Sequence, residues 1–291
     1  MPASPPRHGL PSRTPARSRA GKRGPKRRRS LGSTILGGLG ELFITLGVLG
    51  LLFIVWELWW TGIEAESDRQ ETLDQFYAAM PESPGAAGDQ SAEGPNPADF
   101  EVCYTLPDGS EIGCAPAMAQ LAAENQVMGT LYAPRLGDEW AAPVREGITA
   151  EQIDRGGVGR YPDTQMPDEP GNFSVAGHRN THASMLGRQD ELQIGDQLYL
   201  VSPDGMYTYE VAQRQVVAPH QTDVLAPVPN EPGVSAKAGT LTLTTCHPMY
   251  SNAERLIHHA ELRDFTPLGG EAASELSHHE PIRDMFYTGG A

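Results

Sequence analysis

An apolar segment near the N-terminus constrains this chain more than any other feature. Within residues 31–60 the only charged side chains are Glu41 and Glu57, and the fifteen residues of 42–56 carry no charge at all. Because roughly 20 apolar residues span the hydrocarbon core of a bilayer as a helix, we predict one transmembrane helix over residues 35–60.

The charge on the two sides of this segment is asymmetric and predicts its orientation. The first 30 residues contain ten Lys or Arg and no acidic residue, whereas the rest of the chain has 12 Lys or Arg against 37 Asp or Glu. A basic segment before the first helix stays in the cytoplasm, so residues 1–34 are predicted to form a cytoplasmic tail. The aromatic belt at the outer interface is predicted at Trp56, Trp59 and Trp60.

Two other interpretations of the N-terminus are weaker. A cleaved signal peptide is disfavoured because the apolar segment is long and ends in Trp-Trp-Thr-Gly instead of a small-x-small cleavage site. The basic tail could bind nucleic acid, but blocks of like charge usually act as solvated tails or topology signals. We therefore expect a single-pass cell-membrane protein that binds no nucleic acid and has its main folded domain outside the cell.

Composition divides the remaining chain into four parts. Residues 61–99 are predicted to form a juxtamembrane helix and then a flexible linker rich in Pro, Gly, Ala, Ser and Glu. A hairpin followed by an Ala-rich stretch is expected over 100–125, and the main folded domain over 126–267. The tail at 268–291 lacks periodicity and is expected to be attached to the surface or disordered.

Residues 126–267 are predicted to form a mainly β domain. Many short strands at close spacing favour a closed barrel or a sandwich. Strands are predicted at 127–133, 142–144, 172–176, 197–202, 206–217, 240–246 and 256–262. Short helices are predicted at 150–155 and 183–192.

The chain contains three cysteines, two of them close together. Cys103 and Cys114 flank a segment whose Pro-Asp-Gly at 107–109 is typical of a turn, which predicts a hairpin with facing thiols. Disulfides persist outside the cell, so we favour a bridge over two free thiols. No neighbouring His or Cys completes a tetrahedral metal set. Cys246 is then the odd cysteine, a candidate reactive thiol.

Cys246 is predicted to end a strand, with a guanidinium shortly after it in the sequence and an imidazole further upstream. Residues 242–246 read Thr-Leu-Thr-Thr-Cys, Arg255 follows nine residues later, and residues 176–179 read Ala-Gly-His-Arg. Taken singly, each residue has a structural explanation: a buried inert thiol, a turn histidine, or a surface arginine paired with Glu254 or Glu261. Taken together, a thiol, an imidazole and a guanidinium suit acyl transfer.

These motifs resemble those of sortases. The run at 242–246 matches the family's Thr-Leu-x-Thr-Cys signature, and His178 and Arg255 lie where its histidine and arginine are expected. The resemblance covers roughly residues 129–264 and implies an eight-stranded sortase-type β-barrel with short helices, with Cys246 at the end of the seventh strand and Arg255 on the eighth.

Class E sortases are similar in further detail. Tyr161-Pro162, Pro-Gly-Asn-Phe at 170–173 and Arg-Leu-Ile at 255–257 are typical of that class. Asp163 departs from the common Gly after Tyr-Pro, and His182 stands at a position that is often aromatic, on the expected rim of the pocket.

The resemblance implies a mechanism and roles. Cys246 would attack the Thr carbonyl of a Leu-x-x-Thr-Gly sorting signal, His178 would exchange the proton of the amines, and Arg255 would stabilise the oxyanion. Substrate contacts would come from Thr245, Thr244, Tyr161 and His182. His178 and His182 are four residues apart, as metal ligands on a helix are, but a His-Glu-x-x-His pattern is absent, so neither metal nor cofactor is implied.

Three functions are compatible with these residues. The leading one joins secreted proteins with a C-terminal sorting signal of the Leu-Ala-x-Thr-Gly or Leu-Pro-x-Thr-Gly type to a peptidoglycan precursor amine, lipid II. A pilin-polymerising sortase would use a Lys acceptor, and no lid sequence supports it. A catalytically inactive, membrane-tethered binding module is disfavoured because all three catalytic residue types are present.

Overall fold

The structure, a computed structural model, describes residues 31–80 and 100–286. The predicted tail over 1–30, most of the predicted linker and residues 287–291 lie outside the described residues. The chain divides into two compact units, with the boundary between Leu52 and Phe53. Helix α1 runs Leu31–Ala78, so the apolar segment and the juxtamembrane helix are one continuous helix.

The first unit is described only by the start of α1. Within α1, Ile35–Trp56 is apolar and, at 22 residues, long enough to cross a membrane. Its described side chains are exposed, including Phe43, Leu51 and Trp56. By length and composition this segment is a candidate membrane span.

The second unit is built on a closed eight-stranded barrel, which confirms the predicted fold class. The barrel strands follow one another in the order β10-β8-β7-β3-β4-β5-β6-β9. Their bounds are β3 Val127–Tyr132, β4 Ala141–Glu146, β5 Val158–Arg160, β6 Gly171–Ala176, β7 Gln197–Ser202, β8 Gly205–Val217, β9 Gly239–His247 and β10 Glu254–Pro267. Closure removes the exposed edges that an open sheet would present.

Side chains of β9 alternate between the interior of the barrel and its outer face. Leu241 and Leu243 are fully buried in the core together with Phe173 of β6. Thr242 and Thr244 alternate with them and lie on the opposite face of the strand, where they are also buried. Successive side chains point to opposite faces, so loops outside the barrel must cover these threonines.

The predicted hairpin forms and packs against the barrel. Strands β1 Val102–Thr105 and β2 Glu111–Gly113 pair antiparallel, and Cys103 and Cys114 form a disulfide with their Cα atoms 4.9 Å apart. A Cβ at Gly113 would lie 2.2 Å from the Phe265 ring, so only glycine permits this approach. Helix α2, Pro116–Ala123, follows the hairpin.

The helix predicted over 183–192 is wrong. A left-handed turn at His182–Ser184 and a single-turn 3-10 helix at Gln189–Glu191 occupy this region. His182, Ala183 and Ser184 have φ angles of 51°, 62° and 47°, in the left-handed region that no right-handed helix can include. The other predicted helix is present as α3, Ala150–Ile153.

Both ends of the second unit pack on the same side of the barrel. The C-terminal segment forms helix α4, Glu280–Met285, and buries Ile282 against Tyr132 and Tyr199. Tyr77 of α1 shares a hydrogen bond of 2.6 Å with the Tyr132 hydroxyl. The described part of the tail is therefore attached to the barrel.

Candidate active site

Three adjacent strands bring the predicted catalytic residues to one edge of the barrel. Strands β6 and β9 are parallel neighbours with Ala176 opposite Thr244. His178 and Cys246 each lie two residues beyond that pair, and Arg255 of β10 is directly opposite Cys246. The register therefore groups the imidazole, the thiol and the guanidinium.

The chain around Cys246 is fixed by short hydrogen bonds to the segment that carries His178. Gly177 N donates to Thr244 O at 3.1 Å, and Thr245 Oγ1 donates to Gly177 O at 2.8 Å. Cys246 itself is a free thiol of intermediate exposure. The thiol is thus held on an ordered strand end and remains open to solvent.

His178 has a carboxylate partner that sequence reasoning missed. Its Nε2 donates to Asp154 Oδ1 at 2.6 Å, and the two side chains are 27% and 33% exposed. Asp154 follows α3, 24 positions before His178, and no motif marks it. A carboxylate on one ring nitrogen fixes the tautomer and the orientation of an imidazole, leaving Nδ1 for proton transfer.

Arg179 is a second residue that sequence reasoning left without a role. Its side chain is only 2% exposed and bridges the segment carrying His178 to the segment carrying Cys246. Arg179 Nη1 donates to Cys246 O at 3.3 Å and to His247 Nδ1 at 2.8 Å. Nη2 pairs with Asp190 Oδ1 at 3.0 Å. The Ala-Gly-His-Arg motif at 176–179 contains this residue, but only the fold shows what it contacts.

Arg255 keeps its charge unpaired within residues 31–80 and 100–286. Its Nη1 donates to the backbone oxygens of Glu254 and Asn252, at 2.9 and 3.2 Å. Glu261, one of its possible partners, pairs with Arg263 at 2.9 Å. A guanidinium always carries its charge, so Arg255 can meet a developing negative charge beside Cys246.

The predicted substrate-contact residues fall into two groups. Tyr161 and Thr244 contact each other through their hydroxyls at 3.0 Å, and Thr244 also donates to Val175 O. The Thr245 hydroxyl is already used by Gly177. His182 lies beside His178, with ring centroids 4.9 Å apart. The structure thus brings His182 to His178 and places the Tyr161 hydroxyl against Thr244 on the outer face of β9.

Along the outer face of β9, hydrogen-bonded polar side chains continue away from the Cys246 thiol. Asn172 accepts from Thr242 at 2.7 Å, and His259 Nδ1 donates to Thr242 Oγ1 at 2.8 Å. The other ring nitrogen of His259 accepts from Gln215 at 2.8 Å. Burial lowers the pKa of His259 to about 4, because the charged ring would lose its hydration.

Comparisons with known proteins agree with this geometry. The sortase domain profile matches residues 131–263. Sortase SrtE1 of Streptomyces coelicolor is 32% identical over 82% of this chain, which spans 61% of the length of that relative. Sortase SrtE2 of the same organism is 27% identical over 83% of this chain and 87% of the relative.

Two solved sortase structures are similar to part of this chain. The crystal structure of Sortase E1 from Streptomyces coelicolor with a tripeptide in the active site is 33% identical, with a TM-score of 0.45 over 49% of this chain and 91% of that chain. Sortase E from Streptomyces avermitilis is 32% identical, with a TM-score of 0.45 over 55% of this chain and 98% of that chain.

The closed barrel and the sequence match over residues 131–263 thus define a sortase-type domain. The chain belongs to the sortase family, and its similarity to class E sortases is confirmed.

Proposed function

We propose that this protein is a membrane-anchored sortase that cleaves a Leu-Ala-x-Thr-Gly or Leu-Pro-x-Thr-Gly type signal between Thr and Gly. The observation that carries the proposal is the register of three strands. Cys246 lies opposite Arg255 on β10, and His178 and Cys246 each follow the paired residues Ala176 and Thr244 by two positions. This arrangement supplies a nucleophile, a proton carrier and a fixed positive charge within one edge of the barrel.

The first half of the reaction forms a thioester. The Cys246 thiolate attacks the Thr carbonyl carbon, and the oxyanion that develops is stabilised by the Arg255 guanidinium. The C–N bond to Gly breaks as protonated His178 donates its proton to the departing amine. The protein substrate then remains on Cys246 as a thioacyl group.

The second half transfers that group to an amine. His178, now neutral, takes a proton from the incoming amine as nitrogen attacks the thioester carbon. The C–S bond breaks, the thiolate returns, and an amide joins the substrate to the acceptor. Asp154 orients the imidazole through both halves, and Arg179 positions the backbone of Cys246.

The cellular setting follows from the helix at the N-terminus. The candidate span Ile35–Trp56 would anchor the chain, with its basic tail in the cytoplasm and the barrel outside. The substrates would then be secreted proteins with a C-terminal sorting signal. The acceptor would be the amine of lipid II, a peptidoglycan precursor in the same membrane.

Peptide cleavage by the full-length chain in detergent tests the proposal. We expect release of the Gly-containing fragment from a Leu-x-x-Thr-Gly panel, and a new amide when an acceptor amine is added. Cys246→Ala should abolish both with its circular dichroism unchanged, and Arg255→Ala should lower kcat by about 100- to 1,000-fold. Cleavage by Cys246→Ala would exclude the proposed nucleophile, and transfer to Lys side chains alone would favour pilin polymerisation.

A further inference from the structure

A carboxylate lies between two imidazoles beside the catalytic thiol. Asp154 Oδ1 is 2.6 Å from His178 Nε2, and Asp154 Oδ2 is 3.7 Å from His182 Nε2. One ligand atom from each of the three residues lies within 4.8 Å of the others. All three side chains are between 27% and 33% exposed, so an ion from solvent can reach them.

Backbone geometry, not helical spacing, brings the two histidines together. His182 begins a run of three residues in the left-handed region, with Ala183 and Ser184 following it at φ angles of 62° and 47°. This conformation is unfavourable for residues with a Cβ and persists only where the surroundings hold it. The turn directs His182 Nε2 at Asp154, while its Nδ1 is buried without a hydrogen-bond partner in the described structure.

Two imidazole nitrogens and one carboxylate form a ligand set suited to a divalent transition metal. Zn²⁺ accepts three such ligands and keeps a fourth position for water, with each ligand about 2.0–2.2 Å away. Ligand atoms around a tetrahedral ion are then about 3.4 Å apart. With one donor atom taken from each residue, the three donors lie within 4.8 Å of one another, so each separation must change by less than about 1.5 Å to reach that value.

We propose that Asp154, His178 and His182 bind Zn²⁺ and that the bound ion reversibly inhibits the enzyme. The binding stands on the geometry alone, whereas the inhibition rests on the function proposed above. The acidic chain, with a formal net charge of −15, favours cations near its surface.

Inhibition follows from the binding of Zn²⁺ to Nε2 of His178. Zn²⁺ would replace the proton that His178 Nε2 shares with Asp154. The ion's charge then disfavours a second positive charge on the same ring, so Nδ1 becomes a poor proton acceptor. Without a protonated His178 the amine leaving group cannot depart, and the thioester is not formed.

Direct binding is tested first, in full-length Cys246→Ala protein in detergent, which removes the thiolate as a competing ligand. Titration with Zn²⁺ against a chromophoric zinc indicator should show one site. Adding His182→Gln or Asp154→Asn should each weaken binding by at least about tenfold. The matched control is His278→Gln with His279→Gln, which removes another stacked pair (centroids 4.1 Å apart) and should leave the site intact.

The inhibitory part is tested in protein with the thiol present. Zn²⁺ should block cleavage of the sorting peptide, a chelator should restore it, and His182→Gln should raise the inhibition constant as much as it raises the dissociation constant. Absence of a site, or equal binding with and without His182, would overturn the proposed metal site. Binding without inhibition would overturn its regulatory role. An enzyme inactive even in chelator, but still binding Zn²⁺, would instead overturn the proposed function.

Discussion

Arg179 connects the two segments on which the proposed reaction depends. It is the residue after His178, and its buried guanidinium bonds the backbone oxygen of Cys246 and the ring of His247. Asp190 neutralises the charge from the other side at 3.0 Å. One side chain therefore fixes how far the imidazole-bearing segment lies from the thiol-bearing strand end.

Replacing Arg179 should slow catalysis without weakening substrate binding. Arg179→Gln removes the link to Cys246 O, and a misplacement of about 1 Å can cost roughly 100-fold in rate. We expect kcat to fall about 10- to 100-fold with KM within about threefold. Arg179→Lys should restore little of the lost kcat, because an ammonium group cannot reproduce the planar arrangement of N–H donors of the guanidinium.

Steady-state kinetics with thiol alkylation of Cys246 measures this effect. The matched control is Arg188→Gln, which removes a surface ion pair with Glu191 in the same region and should leave kcat unchanged. An unchanged kcat in Arg179→Gln, or a loss confined to KM, would contradict the positioning role.

Two buried histidines should make stability depend on pH. Burial lowers the pKa of His258 and of His259 to about 4 each, and the charge of Arg214 adds to the effect on His258. Between about pH 6.5 and 4 the unfolded chain binds protons that the folded chain does not. The free energy of unfolding is therefore highest above pH 6.5 and falls as the pH drops through this window, by at most about 3 kcal/mol per histidine.

Urea unfolding at a series of pH values between 7.5 and 4.5 measures this dependence. His259→Gln should make the free energy of unfolding depend less on pH than in the unchanged chain, whereas His278→Gln on the surface should leave that dependence as it is. Burial also raises the pKa of Asp204 and Asp264, which acts in the opposite direction, but both proteins share that contribution. Equal slopes for the His259 variant and the parent would refute this assignment.

At the scale of elements, the strand ends were predictable and the loops between them were not. Thr and Leu alternate along β9, so the position of Cys246 close to its end, at His247, could be predicted from the sequence to within one residue. Strand β5 was missed because Val158–Arg160 is only three residues long and contains Gly159. The left-handed turn at His182 carries neither Gly nor Asn, so nothing in the sequence signals it.

Asp154 shows the limit of sequence reasoning for the site. Its carboxylate reaches His178 only because α3 and the end of β6 are brought together by the barrel. Many acidic residues precede His178 in the chain, and none is distinguished by spacing. Residues within one motif could be predicted, whereas partners from separate elements required the fold.

The hairpin is expected to depend on its disulfide for stability but not for catalysis. Cys103 and Cys114 close a small loop, which restricts the unfolded chain and is worth about 2–3 kcal/mol. The double variant Cys103→Ser, Cys114→Ser should lose that much free energy of unfolding while peptide cleavage stays within about twofold of the parent, since Cys246 is separate.

Denaturant unfolding with and without dithiothreitol separates the bridge from other effects of the substitutions. The parent should lose stability on reduction and then match the double variant, whereas the variant should be insensitive to the reagent. Identical stability of oxidised and reduced parent protein would contradict the expected contribution.

At the scale of the whole molecule, the long helix α1 has two parts of different surroundings. Between Ile35 and Trp56, the candidate membrane span, its described side chains are exposed and, apart from Glu41 and Thr45, apolar. Beyond that point α1 packs against the barrel: Ala65 and Phe76 are buried, and Arg69 Nη1 donates to Ala141 O at 2.9 Å. A Cβ at Gly156 would lie 2.3 Å from Ala65 O, so this approach also requires glycine.

Truncation should separate the two roles of α1. A chain starting at residue 61 keeps the packed half and loses the candidate span, so we expect a water-soluble protein with peptide cleavage within about twofold of the full chain. The full chain should sediment with membranes.

Within the shorter chain, Phe76→Ala should cost about 3–4 kcal/mol of unfolding free energy because it empties a buried aromatic site. Asp74→Ala on the exposed face should cost less than about 0.5 kcal/mol. Equal stability of the two variants would show that α1 contributes nothing to the barrel, and a full chain found in the soluble fraction would exclude the membrane anchor.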